Sequence, residues 1–212
     1  MESPMLHPST LAVVLSLPML IAGAALPAQA EGGPSFDCAK AGSSAEKLVC
    51  EDTALASLDR RLAERYAAAV TAVKAYDAGA DEALKLLKAT QRGWVKGRDE
   101  CWKADDLRSC VEDAYSRREG ELVAGYMLEK PTAVTSWTCG GNPANEIVTS
   151  FFDTERPSVR MERGDRTVAG VLTRSASGAR YEAPFGIVFW TKGKDALLTW
   201  QPDEDLACVA AQ

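Results

Sequence analysis

A serine and a lysine, each followed by a glycine, are the side chains of this sequence best placed to bind a charged partner. Ser177 lies in the stretch SASGARY, and Lys192 lies in the stretch FWTKGKD. Both stretches fall between Cys139 and Cys208, in a segment that we predict to be a small β-domain. A hydroxyl and an ammonium on neighbouring turns can donate hydrogen bonds to carboxylates in a cleft. Without a partner base they cannot carry out a reaction, so the pattern favours a binding protein or an inhibitor over an enzyme.

Histidine content argues against catalysis in the same way. The sequence contains one histidine, His7, in a segment that we predict to be removed. The mature chain would then lack the usual general base near neutral pH, which excludes hydrolase triads of the Ser/His/Asp or Cys/His type. A cell-wall enzyme that uses Asp99 and Glu100 is also disfavoured, because consecutive helix residues do not face each other. We therefore predict no enzymatic activity and no cofactor.

The N-terminal 30 residues are predicted to be a secretory signal peptide. The apolar run Leu11 to Leu26 is followed by Ala28-Gln29-Ala30, which is typical of a cleavage site and places cleavage after Ala30. The run is shorter than the roughly 20 residues of a membrane-spanning helix. The first cysteine is Cys38, away from the cleavage point, so no lipid anchor and no stable membrane anchor are predicted. We expect a periplasmic or secreted protein.

The overall charge constrains the class of partner. The sequence has 24 basic and 30 acidic side chains, for a net charge of −6 at pH 7. Net charge mainly steers encounter between molecules, and an acidic chain is repelled by nucleic acid and attracted by basic proteins. We predict a protein partner and no nucleic acid.

Residues 31–130 are predicted to form an antiparallel three-helix domain. Ser43 and Glu46 have the spacing of a capping box, and apolar residues then recur every three or four positions as far as Val73. Three further signals divide the rest: Gly79 breaks the first helix, Asp81 caps the second, and Asp105 and Asp106 begin the third. Trp94 and Trp102 are expected in the core, and Arg60, Arg61 and Arg65 on a solvated face.

Residues 134–212 are predicted to form an eight-stranded antiparallel sheet that closes into a barrel or folds as a sandwich. Short runs rich in β-branched and aromatic residues alternate there with Gly, Pro, Asn and Asp, and Arg163 to Arg166 has the composition of a hairpin turn. The eight runs are 135–139, 147–152, 159–163, 167–172, 179–183, 187–190, 196–200 and 207–209.

Six cysteines in an exported chain predict three disulfides. A bond between Cys139 and Cys208 would join the first strand to the last, and the chain-entropy model gives such a loop about 4 kcal/mol of stability. The other four cysteines allow three pairings, and we favour the two that close short loops, Cys38 with Cys50 and Cys101 with Cys110. Without a CxxC pair, and without histidine in the mature chain, no metal site is expected.

Two groups of motifs carry resemblances to known families. The segments TCGG, SASGARY and VFWTKGKDA, followed by the terminal cysteine, resemble the family of membrane-bound lysozyme inhibitors of c-type lysozyme. The segments CAKAGSSAEKLVC, LASLDRRLAERY and QRGWVKGRDEC are similar to the N-terminal family of the lysozyme inhibitor LprI. Together the two resemblances cover both halves of the chain.

The first resemblance implies an eight-stranded barrel with two loops that enter the active-site cleft of a c-type lysozyme. It implies that Ser177 and Lys192 contact the two catalytic carboxylates, and that residues beside them belong to the lysozyme-binding surface. Those neighbours are Gly178, Arg180, Tyr181, Thr191 and Gly193. For Arg180 and Tyr181 the alternative is support of the loop from within, and Trp190 and Trp200 are expected to be packing residues.

One difference from the family pattern bears on this hypothesis. An extra residue lies in the segment EAPFG, which includes Pro184, between the two predicted binding loops. We regard this segment as the place where the convergence of Ser177 and Lys192 is most open to change. The alternative function is a non-inhibitory adaptor of the cell envelope, in which the helical half binds another protein.

Overall fold

The chain folds as a helical half followed by a closed β-barrel, which confirms the predicted fold class. The computed structural model describes residues 32–200 and 205–211. The predicted signal peptide, residues 1–30, lies outside this part of the chain. Within the described ranges, no helix is both long enough and apolar enough to cross a membrane. The four α-helices are α1 (Ser44–Glu51), α2 (Thr53–Lys74), α3 (Ala80–Asp99) and α4 (Leu107–Tyr126).

The helical half contains four helices because the predicted first helix is divided at Asp52. The backbone of Asp52 is extended, and its carboxylate accepts hydrogen bonds from the backbone N–H groups of Ala54 and Leu55. An aspartate in this geometry is an N-cap, so it starts a new helix. The capping box of Ser43 and Glu46 is confirmed at the start of α1.

The starts of the other two helices were predicted with mixed success. Asp106 is the N-cap of α4, as predicted, and its carboxylate accepts from the N–H of Ser109. The N-cap of α3 is Gly79 rather than Asp81. Gly79 has a φ of 71°, a conformation that glycine adopts at little cost, and Asp81 lies in the first turn, where its charge favours the helix N-terminus.

A buried polar network connects α2, α3 and α4. The Tyr115 hydroxyl donates to Asp59 Oδ1 over 2.9 Å and accepts from Arg98 Nη1 over 2.9 Å. Burial raises the pKa of Tyr115, so the hydroxyl remains a donor at any ordinary pH. Trp94 packs edge-on against Tyr115, but Trp102 is 62% exposed, and its predicted place in the core is wrong.

All eight predicted strands are present, and each pairs with its neighbours in chain order to close a barrel. Inward positions alternate with outward ones, as a pleated strand requires, and the inward side chains fill a core that includes Ile147, Phe189, Leu198 and Trp200. The strands are β1 (Ala133–Cys139), β2 (Glu146–Phe152), β3 (Ser158–Arg163), β4 (Arg166–Thr173), β5 (Ala179–Ala183), β6 (Ile187–Lys192), β7 (Asp195–Thr199) and β8 (Leu206–Ala210).

The three predicted disulfides are all confirmed, and they account for all six cysteines of the sequence. Cys139 and Cys208 are register partners on β1 and β8, so their bond lies across the strand pair that closes the barrel. The other two bonds join Cys38 to Cys50 and Cys101 to Cys110.

Helix α4 packs directly on the barrel wall. An ideal Cβ at Gly120 would lie 3.0 Å from Val171 Cγ1 and 3.1 Å from Ser158 Cβ, and one at Gly125 would lie 3.7 Å from Ala169 Cβ. A glycine inside a helix lowers stability, and here its absent side chain permits the close approach of α4 to β3 and β4. The helical half and the barrel belong to one compact unit, although the division into domains at residues 130 and 134 stays a prediction.

Ion pairs surround this contact. Arg61 on α2 binds Glu119 on α4 and also Glu155 in the β2–β3 loop. Arg156 in the same loop binds Asp113 on α4. The prediction of a purely solvated face is therefore wrong for Arg61, because that side chain connects the helices to the barrel.

Removing the barrel disulfide is expected to destabilise the protein substantially. We expect Cys139→Ala with Cys208→Ala to lower the free energy of unfolding by about 4 kcal/mol, because the bond restricts a long loop in the unfolded chain. The matched control is Cys101→Ala with Cys110→Ala, which removes a bond that closes a loop of 9 residues instead of 69. Its loss should lower the free energy of unfolding by about 2.6 kcal/mol. Urea unfolding of both variants measures the difference, and equal losses would contradict the expectation.

A side chain at position 120 should separate α4 from the barrel. We expect Gly120→Leu to lower the free energy of unfolding by about 2 kcal/mol, since overpacking outweighs the gain in helix propensity. The control is Gly97→Leu on α3, where no atom lies within 4 Å of the added Cβ. That substitution should raise the free energy of unfolding by up to about 1 kcal/mol. If both variants gain stability in urea unfolding, the close approach at Gly120 is not needed.

Candidate functional site

The two predicted binding loops lie side by side at one end of the barrel. The β4–β5 loop consists of residues 174–178, and the β6–β7 turn consists of residues 193–194. Strands β5 and β6 are antiparallel, and Ala179 pairs with Thr191 directly beneath both connections. The end of β4 and the end of β6 therefore meet at the same rim, which brings Ser177 next to Lys192.

Gly178 allows the β4–β5 loop to lie directly on strand β6. Its φ is 68°, and an added Cβ would fall well inside contact distance of the Thr191 carbonyl oxygen and 3.3 Å from Lys192 Cβ. Only glycine fits both the conformation and the space. The backbone beside Ser177 is thus held against the residue that carries the ammonium.

Two further side chains fix the shape of this loop. The indole N–H of Trp190 donates to the Ser177 carbonyl oxygen over 2.7 Å. The Ser175 hydroxyl is close to two carbonyl oxygens, at 3.1 Å from that of Gly178 and 3.3 Å from that of Ser177. Ser175 is therefore engaged within the loop. Trp190 lies at the barrel rim, 37% exposed, and its role in holding the loop was not predicted.

The Ser177 hydroxyl and the Lys192 ammonium face solvent without partners. Both residues are exposed, and within the described ranges neither side chain takes part in a hydrogen bond or an ion pair. Arg174 and Lys194, in the same two connections, are also exposed and have no ion-pair partner among the described residues. The rim therefore presents cations on a chain whose net charge is −6.

The other predicted site residues surround these loops at different depths. Arg180 hydrogen-bonds Thr173 Oγ1 over 3.3 Å and pairs with Glu182. Tyr181 is 7% exposed and packs against Phe151, and burial raises the pKa of its hydroxyl. Both side chains support the loop in this structure, and their contact with a partner stays a prediction. Thr191 is half-buried, and Gly193 forms the exposed turn with a φ of 66°.

The EAPFG segment, where an extra residue was predicted, does not separate the two loops. Pro184–Gly186 forms a short turn at the opposite end of the barrel, in which Phe185 and Gly186 have positive φ. From this turn the pairing of β5 with β6 runs without interruption, from Ala183 and Ile187 to Ala179 and Thr191. The segment instead displays Phe185, which is 89% exposed and has a φ of 63°.

The arrangement is suited to binding an acidic partner. The rim offers a hydroxyl and several cations, which donate hydrogen bonds to acceptors such as carboxylates. Among the residues that the structure describes, no group of three His, Cys, Asp or Glu side chains is placed to hold a metal ion. A partner with a carboxylate-lined cleft fits this set of donors.

Comparisons with known proteins match the two halves of the chain to two families of lysozyme inhibitors. The family described as membrane-bound lysozyme-inhibitor of c-type lysozyme matches residues 137–207, and the family described as lysozyme inhibitor LprI matches residues 38–130. The lipoprotein LprI of Mycobacterium tuberculosis is 32% identical over 162 residues, a match that covers 74% of this chain and 75% of that protein. The lipoprotein LprI of Mycobacterium bovis gives the same values.

Substitution of Gly178 is expected to disrupt the loop more than substitution of Gly193. Both have a positive φ, which costs a residue with a Cβ about 1–2 kcal/mol. Only Gly178 also contacts the neighbouring strand, so Gly178→Ala should lower the free energy of unfolding by about 3 kcal/mol and Gly193→Ala by about 1 kcal/mol. Urea unfolding measures both, and equal effects would show that the close contact is unimportant.

Proposed function

The chain belongs to the family of the lysozyme inhibitor LprI, and we propose that it inhibits a c-type lysozyme by placing two barrel loops in the catalytic cleft. The observation that supports this mechanism is the convergence of Ser177 and Lys192 at one rim, exposed and without partners among the described residues. The Gly178 contact holds the backbone beside Ser177 against strand β6 next to Lys192 before any partner arrives.

The chemistry of the target cleft matches these donors. A retaining glycosidase such as lysozyme acts with two carboxyl groups about 5–5.5 Å apart. An ammonium midway between them would lie about 2.7 Å from each, which is the length of a charge-assisted hydrogen bond. Lys192 can thus occupy the space of the reacting bond, while the Ser177 hydroxyl donates to one of the carboxylates. Inhibition in this scheme is steric and needs no chemical step.

A preformed loop makes the binding efficient. A lysine on a flexible chain loses conformational freedom when it is fixed in a cleft, and this loss reduces affinity. Here Trp190 and Ser175 already hold the backbone of the β4–β5 loop through hydrogen bonds. Less ordering remains to be done on binding, so more of the interaction energy contributes to affinity.

We also propose that the protein acts outside the cytoplasm, in the periplasm or as a secreted protein. Three disulfides join all six cysteines of the sequence, and such bonds form and persist in oxidising compartments. That is where a lysozyme directed at the cell wall would be met.

Lys192 is expected to contribute more to inhibition than the lysine two positions later. We expect Lys192→Ala to weaken binding to a c-type lysozyme by about 2 kcal/mol, or about 30-fold in Kd, because it leaves cleft carboxylates unpaired. Lys194→Ala is the matched control, since Lys194 is also exposed and has no ion-pair partner among the described residues. Its effect should be below about threefold, as for a charge at the rim of an interface.

The measurement is the residual activity of hen-type lysozyme titrated with each variant of the full chain. Thermal unfolding of the two variants checks that both remain folded. No loss of lysozyme activity at several-fold molar excess of the unsubstituted protein would disprove inhibition of this enzyme. Equal effects of the two lysine substitutions would disprove the specific role of Lys192.

A further inference from the structure

We propose that the helical half supplies a second contact surface for the lysozyme that receives the two loops. This surface is the corner groove, which we define as the space between the N-terminal half of α4 on one side and, on the other, the β2–β3 loop and residues 172–174, where β4 passes into the β4–β5 loop. The inference rests on the proposed function, because the groove meets a partner only if the loops do. It assigns a role in binding to the helices, for which the resemblances specify no site residues.

The first step of the argument is the direction of α4. Gly120 lies against Ser158 and Val171, and Gly125, five residues later, lies against Ala169 and accepts a hydrogen bond from Arg160. Five helical residues advance about 7.5 Å, and the two strand residues from Val171 back to Ala169 advance about 6.7 Å. The agreement shows that α4 runs alongside β4, with its N-terminus toward the loop end of the barrel.

The second step is length. From Gly120 back to Leu107 the helix extends 13 residues, or about 20 Å, whereas β4 continues only from Val171 to Thr173, about 7 Å. A loop of five residues that turns back reaches at most about 8 Å further. The start of α4 therefore projects about 5 Å beyond the tip of the β4–β5 loop. An enzyme seated on that loop meets the helix.

The third step is that the helix borders the loop directly. The corner groove has a volume of about 610 Å³ and is lined by Ser109, Glu112 and Asp113 on one side and by Glu155, Arg156 and Arg174 on the other. Arg174 is three residues from Ser177, so the groove is continuous with the binding loop. Both walls are polar and charged, and Asp113 and Arg156 pair across the groove, which suits a polar segment of a protein surface.

The projecting end of α4 is also rigidly held. The Cys101–Cys110 disulfide connects it to the 3-10 helix Glu100–Lys103 that follows α3, and Arg108 pairs with Asp52 over 2.8 Å at the start of α2. Such an element does not fold away when a partner approaches. A rigid α4 end must either obstruct the docking of the enzyme or form part of the interface. If the loops reach the cleft, as proposed, the helix does not obstruct docking and forms part of the interface.

The size of a stable interface supports the same conclusion. Specific complexes bury about 800 Å² on each partner and use roughly 20–30 residues a side. The loop residues 174–178 and 192–194 number only eight. The corner groove and the adjoining face of α4 provide additional surface in direct continuation.

Site-specific photocrosslinking in the full chain tests the proposal. The photoreactive residue p-benzoylphenylalanine is placed at Ser109, on the helical wall of the groove, and in separate variants at Ala176 and Asp165. Ala176 is an exposed residue of the binding loop, and Asp165 is an exposed residue of the β3–β4 turn at the opposite end of the barrel. Each variant is irradiated with hen-type lysozyme, with and without excess unsubstituted inhibitor.

We expect covalent adducts from positions 109 and 176, abolished by the excess inhibitor, and none from position 165. An adduct from position 176 without one from position 109 would overturn the second surface and leave the proposed function intact. Absence of adducts from both positions, together with full lysozyme activity, would overturn the proposed function and this inference with it.

A substitution provides the quantitative counterpart. We expect Ser109→Trp to weaken inhibition at least fivefold, because the larger side chain fills the groove, with thermal unfolding unchanged at this exposed position. Asp165→Trp should leave inhibition within twofold. Equal inhibition by the two variants would contradict a contact at the groove.

Discussion

Closure of the sheet between β1 and β8 is the constraint on which the rest of the structure depends. In a closed antiparallel barrel, successive connections alternate between the two ends, so every second loop meets at one rim. This geometry places the β4–β5 loop beside the β6–β7 turn and sends the EAPFG segment to the other end. The Cys139–Cys208 bond lies at the closing strand pair and resists its opening. The position of Ser177 relative to Lys192 thus follows from barrel closure and from the contact at Gly178.

The helical half depends on the barrel in turn. Helix α4 lies on β3 and β4 at Gly120, and the side chains of Val123, Ala124 and Phe152 form a small apolar cluster between the two halves. Charged residues at the edge of this contact are paired across it, which fixes the helix along and around the barrel wall. The contact between α4 and the barrel lies toward the end of the barrel that carries the two binding loops. The start of α4 therefore lies on the same side of the molecule as these loops.

Much of this fold could be predicted from local patterns. Eight apolar runs separated by turn residues indicated the eight strands, because strand alternation and turn chemistry are local properties. Short sequence separations likewise indicated the disulfides of the helical half. The division at Asp52 was missed because the apolar periodicity continues through it, although an aspartate followed by Thr53 also fits an N-cap. The exposure of Trp102 was missed because periodicity places a residue on one face without saying whether that face is covered.

For the candidate site, too, local sequence patterns identified the residues, but only the tertiary structure shows which of their groups are free to bind. The two turn motifs identified Ser177 and Lys192, but nothing local distinguishes Ser177 from Ser175, which differ by two positions in the same loop. The structure separates them through their partners: the Ser175 hydroxyl donates to carbonyl groups of the loop, whereas Ser177 accepts the Trp190 indole N–H at its backbone carbonyl, and its hydroxyl has no hydrogen-bond partner among the described residues. Lys192 likewise has no ion-pair partner among the described residues, although Asp195 is its register partner on β7. Most other guanidinium groups near the helix–barrel contact are already paired.

A cation left unpaired in solvent costs little, and it becomes strongly bound only where carboxylates in a partly dry cleft replace water. Selectivity for such a cleft therefore arises from which donors the fold leaves unsatisfied.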